Sequence, residues 1–419
     1  MTTPRDRGGH RELGPSLEDR LDRGVDRRTL LRALLAAPAL ASCGSEVPYS
    51  EVDRALLDEQ RSAERERAGR GPYGAQRYSG YRGLADLPWF ELDERGRLVC
   101  TVADLPPVID IHAHLGISLG LAPDVDLFQR TPRVRYMLDC DDREPPCDVD
   151  LDVYINGNFT RRDLWELRWE AVSGLLWGGA AAATHTIPNL LDEMDAVGVE
   201  RTLILPIAFG LPFGDDLTER WLEALQSPEA RERLIPGASV HPQDPDRIAK
   251  LRDYAGRGAR AVKIHPTMQR VVPDAPEAME IYEVCGELGL SVLFHAGRAG
   301  IEPESSQPYA LPRYYEAPLR EFPGVQFVLG HAGARDVEAM VEIARRYPNA
   351  WLDVHGQGVT VLDEMIRGAG SERLLFGTDW PFYPLAATLA KVLMVTEGRP
   401  AVRDAILREN GARLLGLPA

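Results

Sequence analysis

Val108-Ile109-Asp110-Ile111-His112-Ala113-His114 decides the reading of this chain: an apolar, strand-like run that ends on two imidazoles one residue apart. In an extended strand alternate side chains share a face, so His112 and His114 point the same way and make a two-nitrogen clamp. Working outward, seven further strand-like runs follow: Arg201 to Ile207, Ile235 to His241, Ala261 to His265, Ser291 to Ala296, Gln326 to Gly330, Ala350 to Val354 and Leu374 to Gly377. Helical patterns alternate with them at Leu190 to Val197, Leu217 to Leu225, Asp246 to Tyr254, Glu277 to Glu287, Leu319 to Phe322, Asp336 to Arg346, Val361 to Arg367 and Leu385 to Val395. Eight strands, each followed by a helix, predict a closed parallel (β/α)8 barrel rather than an open sheet. A final helix, Ala401 to Leu415, is expected to end the chain.

Parallel barrels carry their chemistry at the C-terminal ends of the strands. Here those ends hold His112 and His114, Lys263 and His265, His295, His331 and Asp379. Nitrogen donors with a carboxylate suit Zn²⁺, and also Mn²⁺, Fe²⁺ or Co²⁺. His241 and His355 close strands three and seven, and for both a pocket-lining and a structural role stand open. Trp380 and Phe382 either wall the pocket or pack beneath the last loop. Arg298, just past His295, is a candidate anion clamp against the plainer reading of a loop arginine. His185 and His10 are given no role.

The segment from Leu115 to Thr186 is too long for an ordinary strand-to-helix loop and reads as an insertion over the mouth of the barrel. It contains the turn Tyr154-Ile155-Asn156-Gly157-Asn158 and an aromatic helix from Arg161 to Trp177. Trp165, Trp169 and Trp177 suit one face of that helix; packing onto the barrel is the expectation, a substrate-gating lid the alternative. Cys140 and Cys147 flank an acidic loop and read as a local disulfide or free thiols rather than a metal pair.

The leader is an address rather than fold. Arg27 and Arg28 precede the apolar run Leu30 to Ala41, too short to span a bilayer, and Leu40-Ala41-Ser42-Cys43-Gly44 resembles a bacterial lipobox. Residues 1–42 therefore read as a twin-arginine lipoprotein signal, 43–104 as a tether and cap with one helix near Val52 to Arg67, and 105–419 as the barrel. Export to the cell envelope with a lipid anchor on Cys43 is the expectation, with no other membrane contact. The 419 residues, 44% hydrophobic, suffice for a large core. Their net charge of −16, carried mainly beyond the Arg-rich leader, argues against nucleic acid as a partner.

The ordered set Ile109-Asp110-Ile111-His112-Ala113-His114, Val262-Lys263-Ile264-His265-Pro266, Leu329-Gly330-His331-Ala332-Gly333 and Phe376-Gly377-Thr378-Asp379-Trp380-Pro381-Phe382 resembles the amidohydrolase superfamily. More narrowly it resembles the amidohydrolase-related branch that includes aminocarboxymuconate semialdehyde decarboxylase. The resemblance, from about Pro107 to the C-terminus without the insertion, implies a TIM barrel whose divalent metal is held by His112, His114, His295 and Asp379. It implies His331 as the acid-base or carbonyl-polarising group. Other branches place a carboxylated lysine at Lys263 to bridge two ions, so one ion is expected, with two as the alternative; Lys263 and His265 are otherwise substrate-binding candidates. The expected reaction is hydrolysis of an amide, ester or lactone bond of a small molecule by a metal-activated water, with Asp379 taking the water proton. Nonoxidative decarboxylation of a small acid, or a noncatalytic envelope lipoprotein, are the alternatives, and self-association is left open.

Overall fold

Eight parallel strands lie side by side in chain order in the computed structural model: β1 (Val108–Ala113), β2 (Val199–Ile204), β3 (Leu234–Ala238), β4 (Ala261–Ile264), β5 (Ser291–His295), β6 (Phe327–Gly330), β7 (Ala350–Asp353) and β8 (Leu374–Leu375). The structure describes residues 47–419 except Leu121, Leu138, Cys140, Phe213 and Ala419, and only the backbone at 168 and 171–177. The leader with Arg27, Arg28 and His10, the anchor Cys43, and Cys140 lie outside the described residues. Beyond β8 the chain leaves the ladder but continues over β1. There Ile111 N–H donates to Phe376 O at 3.0 Å, Asp379 N–H to His112 O at 2.7 Å and His114 N–H to Trp380 O at 2.6 Å, which brings the first and last strands together into a TIM-type barrel.

The helices are α1 (Glu51–Arg67), α2 (Arg161–Trp177), α3 (Ile187–Val197), α4 (Leu217–Ala224), α5 (Arg247–Gly256), α6 (Pro276–Leu288), α7 (Glu316–Glu321), α8 (Val337–Arg346), α9 (Val359–Ala369) and α10 (Leu385–Val395). α3 starts on Pro188 in its first turn and ends on Gly198 at φ 79°, so proline and glycine punctuate it where each fits the backbone. The single C-terminal helix expected from sequence resolves into Pro400–Asp404, a π-helical turn Ala405–Glu409 and Asn410–Leu415. The Ile406 carbonyl accepts Phe376 N–H at 3.1 Å, a competitor for the regular helix ladder at this point.

Two apolar layers sandwich the strands. Ile109, Ile111, Leu203, Leu293, Val328 and Leu375 form an inner cluster with Leu414 and Leu415. Val108, Ala113, Val292, Leu329 and Leu352 form the outer one with helical Leu190, Ile281, Leu362 and Leu389. Each fully buried side chain of this size stabilises by roughly 1.5–3 kcal/mol relative to exposure. β1 contributes to both, and its pairing with β2 shifts register between Asp110 and Ala113. That bulge resets the alternation, so Ile111 joins the inner core while His112 and His114, flanking the outward Ala113, still turn toward the barrel axis.

α1 is more than a tether. Ser50 and Asp53 close a capping box at its start. Arg298, fully buried, donates to Asp336 through Nε at 2.9 Å and Nη2 at 2.5 Å, and through Nη1 to the Asp53 carbonyl at 2.5 Å. Arg298 is thus a structural clasp between α1 and the loops after β5 and β6, and the anion-clamp reading is corrected: its donors are already spent. Trp165 and Trp169 also differ from expectation. They are 65% and 61% exposed, stacked on each other with planes 3° apart, and do not pack into the core; the Trp177 side chain lies outside the described residues. Cys147 is disulfide-bonded, whereas Cys100 and Cys285 are free. Among the described residues no helix is long and apolar enough to cross a membrane.

Removing one member of a buried ion pair strands the other without compensation. Arg298→Met is expected to lower the unfolding free energy by ~3–5 kcal/mol. Urea denaturation checks it, and a loss under 1 kcal/mol would refute the clasp.

Candidate metal centre

Asp353, at the end of β7 and fully buried, organises the centre. Its Oδ2 accepts His112 Nδ1–H at 2.7 Å and lies 3.4 Å from the His331 backbone N, while its Oδ1 accepts His355 N–H at 2.9 Å. Gly377 leaves room for it, since a Cβ there would stand 2.4 Å from Asp353 Oδ1. Asp110 caps His112 N–H at 3.0 Å in the same local way and also receives the Thr378 hydroxyl at 2.6 Å. The pattern Asp-x-His thus occurs twice, at Asp110-Ile111-His112 and at Asp353-Val354-His355. Burial pushes Asp353 up to about 7 and Asp110 well above the usual carboxylate range.

His114 Nδ1–H donates to Leu205 O at 2.5 Å, so both β1 imidazoles spend Nδ1 on an outer acceptor and turn Nε2 inward. Inward, His114 Nε2 lies 3.0 Å and His112 Nε2 3.4 Å from Asp379 Oδ1. An imidazole lone pair facing a carboxylate oxygen is acceptor against acceptor, which calls for a shared cation or proton. Burial first, then the Lys263 charge, keeps His112 neutral. Asp379 is held below the usual range, because its close contact with His114 and nearby positive charge outweigh its burial. Two imidazole nitrogens and an ionised carboxylate fit a first-row divalent ion.

His331 and His355 complete the cluster. His355 Nε2 stands 3.4 Å from Asp379 Oδ2, which settles its open reading in favour of the site. His331, Ala332 and Ala334 all adopt positive φ (57°, 48° and 54°), a strained turn clamped by Gln357, whose Nε2–H₂ donates to His331 O at 2.6 Å and Ala334 O at 2.9 Å. Lys391, buried, in turn donates to Gln357 O at 2.7 Å. The Nδ1 atoms of His331 and His355 are buried without a partner.

His295 faces the same cluster but shares a hydrogen bond with His331 Nε2 at 2.9 Å and stacks on His265 at 4.0 Å. Among the described residues it enters none of the close donor groups, which are His112, His114 and Asp379; His112, His331 and Asp353; and His331, His355 and Asp379. Lys263 Nζ donates to His112 Nε2 at 2.8 Å, where an incoming ion would compete with it, and burial lowers its pKa to about 8. His241 lies apart, bonded to Gln269 O at 3.1 Å and lining a crevice of about 400 Å³ with Ile207, Asp215 and Tyr254. His185 is buried against Trp380 and outside the donor groups. Trp380 is core, its indole N–H bonded to Glu193 at 2.7 Å, while Phe382 meets the His114 ring edge to face at 5.5 Å.

A parallel barrel whose strand ends converge on histidines and aspartates defines a class of metal-site TIM-barrel proteins. Within it, the amidohydrolase family model Amidohydro_2 matches residues 109–417, and the chain belongs to that family. No curated protein matches it. Among solved structures, an uncharacterised TIM-barrel protein from Bordetella bronchiseptica is 19% identical, with 74% of this chain and 98% of that chain covered at a TM-score of 0.50. A 2,6-dihydroxybenzoate decarboxylase from Rhizobium is 16% identical, covering 74% and 99% at 0.49. A probable 2-pyrone-4,6-dicarboxylic acid hydrolase from Acinetobacter baumannii is 14% identical, covering 74% and 100% at 0.47. At such identities the likeness speaks to the fold alone.

Two expectations follow from these contacts. Asp353→Asn keeps the shape but weakens the hold on His112, so affinity for Zn²⁺ should fall ~10–100-fold in chelator competition; unchanged affinity would refute the orienting role. Lys391 titrates at about 7 in the folded chain instead of the ordinary 10.5. The unfolded chain therefore binds the extra proton between those values, and stability rises with pH there. Against Lys391→Met, the wild type should gain about 4 kcal/mol of relative unfolding free energy between pH 6 and pH 10, and a pH-independent difference would contradict it.

Proposed function

We propose that this protein is a metal-dependent hydrolase of small molecules, cleaving an amide, ester or lactone bond. The observation that carries the reading is the inward pair of His112 and His114 Nε2 atoms facing the ionised Asp379, each imidazole fixed by an outer acceptor. His112, His114 and Asp379 would hold the ion, with His295 beside them as the fourth donor the family resemblance implies. A divalent ion bound there acidifies water and polarises a carbonyl.

The chain's own groups do the rest. Asp379 presents Oδ2 away from the β1 imidazoles and, being ionised, accepts the proton of the attacking water. It returns that proton to the leaving nitrogen or oxygen as the acyl bond breaks. His331, kept neutral by burial, is a hydrogen-bonding partner that orients water or the developing oxyanion rather than a fixed positive charge. Phe382, against His114, and Tyr383, against His355, wall the site with aromatic surface and limit bulk water.

A second reading, decarboxylation of a small acid, draws on the buried Lys263 amine inside the donor set, a cation able to anchor a carboxylate. Reaction in ¹⁸O-water separates the two: hydrolysis puts the label in the product acid, whereas decarboxylation releases CO₂ and leaves the retained product unlabelled. With a substrate found among lactones, esters, amides and ring carboxylates, chelation should abolish turnover and Zn²⁺ restore it. Asp379→Asn should cost ~10²–10⁴-fold in kcat, and full activity in that variant would sink the proposal.

A further inference from the structure

The segment between β1 and α3 is bonded directly to the rim of the metal centre. Ile155 N–H donates to Gly356 O at 2.8 Å, Val359 N–H to Leu151 O at 3.0 Å, Thr360 N–H to Asp152 Oδ1 at 2.8 Å, and the Tyr383 hydroxyl to Asn156. These bonds carry Tyr154 onto Gly356, the residue after His355. The approach is close: a Cβ on Gly356, which sits at φ 80°, would stand 2.7 Å from Tyr154 Cε2.

Tyr154 is 5% exposed, and among the described residues its hydroxyl makes no hydrogen bond to another protein group. Over its ring, 5.2 Å from the centroid, lies the Arg335 guanidinium. The Arg335 side chain is 7% exposed; Nε is held by Glu64 of α1 at 3.0 Å and Nη1 by the Ala299 carbonyl, while Nη2 makes no hydrogen bond among the described residues. The two side chains, one packed over the other, thus each keep a donor with no protein partner among the described residues, and Tyr154 packs on Gly356, the residue after His355.

We propose that Tyr154 and Arg335 form a substrate subsite that binds a carboxylate group, so that the hydrolysed molecule is an amide, ester or lactone that also carries a free acid. The inference rests on the reading of the centre as a hydrolase site and names its substrate class. The free Nη2 of Arg335 and the phenol O–H suit the two oxygens of a carboxylate, and the low-dielectric surroundings strengthen both bonds. Besides Asp379 near Tyr154 and Glu64 on Arg335, Glu302 is an acidic group facing this subsite. Its Oε2 is held by Gly300 N–H at 2.7 Å, its Oε1 is buried and unpaired, and burial raises its pKa, which reduces its repulsion of an incoming anion. Glu64 is likewise raised by burial and orients Arg335 without using its whole fork.

The test uses 4-fluorobenzoate and its uncharged analogue 4-fluorobenzamide, titrated by ¹⁹F NMR into Zn²⁺-loaded wild type, Tyr154→Phe, Arg335→Met and His112→Ala. Wild type should prefer the carboxylate, and Tyr154→Phe, which keeps the packing, should weaken it about tenfold or more while leaving the amide unchanged. Arg335→Met should weaken it further, read only if its melting curve remains cooperative. Wild-type binding without a preference for the carboxylate, or Tyr154→Phe binding it as wild type does, overturns the proposal. If carboxylate binding disappears in His112→Ala but is untouched by Tyr154→Phe, the anion sits on the ion, and the subsite falls while the metal reading stands. If the protein takes up no metal yet the Tyr154 dependence persists, the hydrolase reading falls and the subsite stands.

Discussion

The carbonyl of His112 accepts the backbone N–H of Asp379, and on that contact the structure depends. It joins the last strand to the first, so the step that completes the barrel also sets the Asp379 carboxylate against the two β1 imidazoles. Asp379 reaches this position only at φ 60°, a conformation that costs ~1–3 kcal/mol in a non-glycine residue. Offsetting contacts stand on either side: Thr378 bonds Asp110 through its hydroxyl and its backbone N–H, and Trp380 is wholly buried. Site and barrel closure are thus built from the same few residues.

Around that closure the centre is built from paired acids and imidazoles at two strand ends. In both Asp-x-His units the aspartate accepts the N–H of its own histidine, but only Asp353 reaches across the barrel to a second imidazole, His112. This asymmetry gives the two aspartates different work. Asp110 locks strand β1 to the final loop, whereas Asp353 sets the tautomer and aim of a donor nitrogen. Because the surroundings are dry, each of these hydrogen bonds is worth more than it would be in water, and each unmet group costs more. The unpaired Nδ1 atoms of His331 and His355 are therefore meaningful places for water or substrate to act.

The mouth is supplied from far away in the chain. α1 delivers Glu64 to Arg335, and the long segment after β1 delivers Tyr154 to the turn beyond His355. Under the proposed subsite, specificity would be a property of peripheral segments mounted on the barrel, the usual division of labour in this architecture.

The sequence by itself determined the strand count, the helix that follows each strand and the convergence of His112, His114, His331 and Asp379. All of these follow from periodicity and from the rule that barrel strands end at the site. Asp353 was not singled out from the sequence, although Asp353-Val354-His355 repeats the pattern at Asp110 to His112 and is the signal that marks it; nothing local says which imidazole it reaches. Only the tertiary structure decided the rest: that a bulge turns His112 inward directly after Ile111, that Arg298 is a clasp, that His295 pairs with His331, that Trp165 and Trp169 face solvent, and that α1 belongs to the mouth. Each of these turns on a partner distant in the chain or on a register shift. A periodic pattern encodes which residues seek burial, whereas the partner each one meets is fixed only when the whole barrel closes.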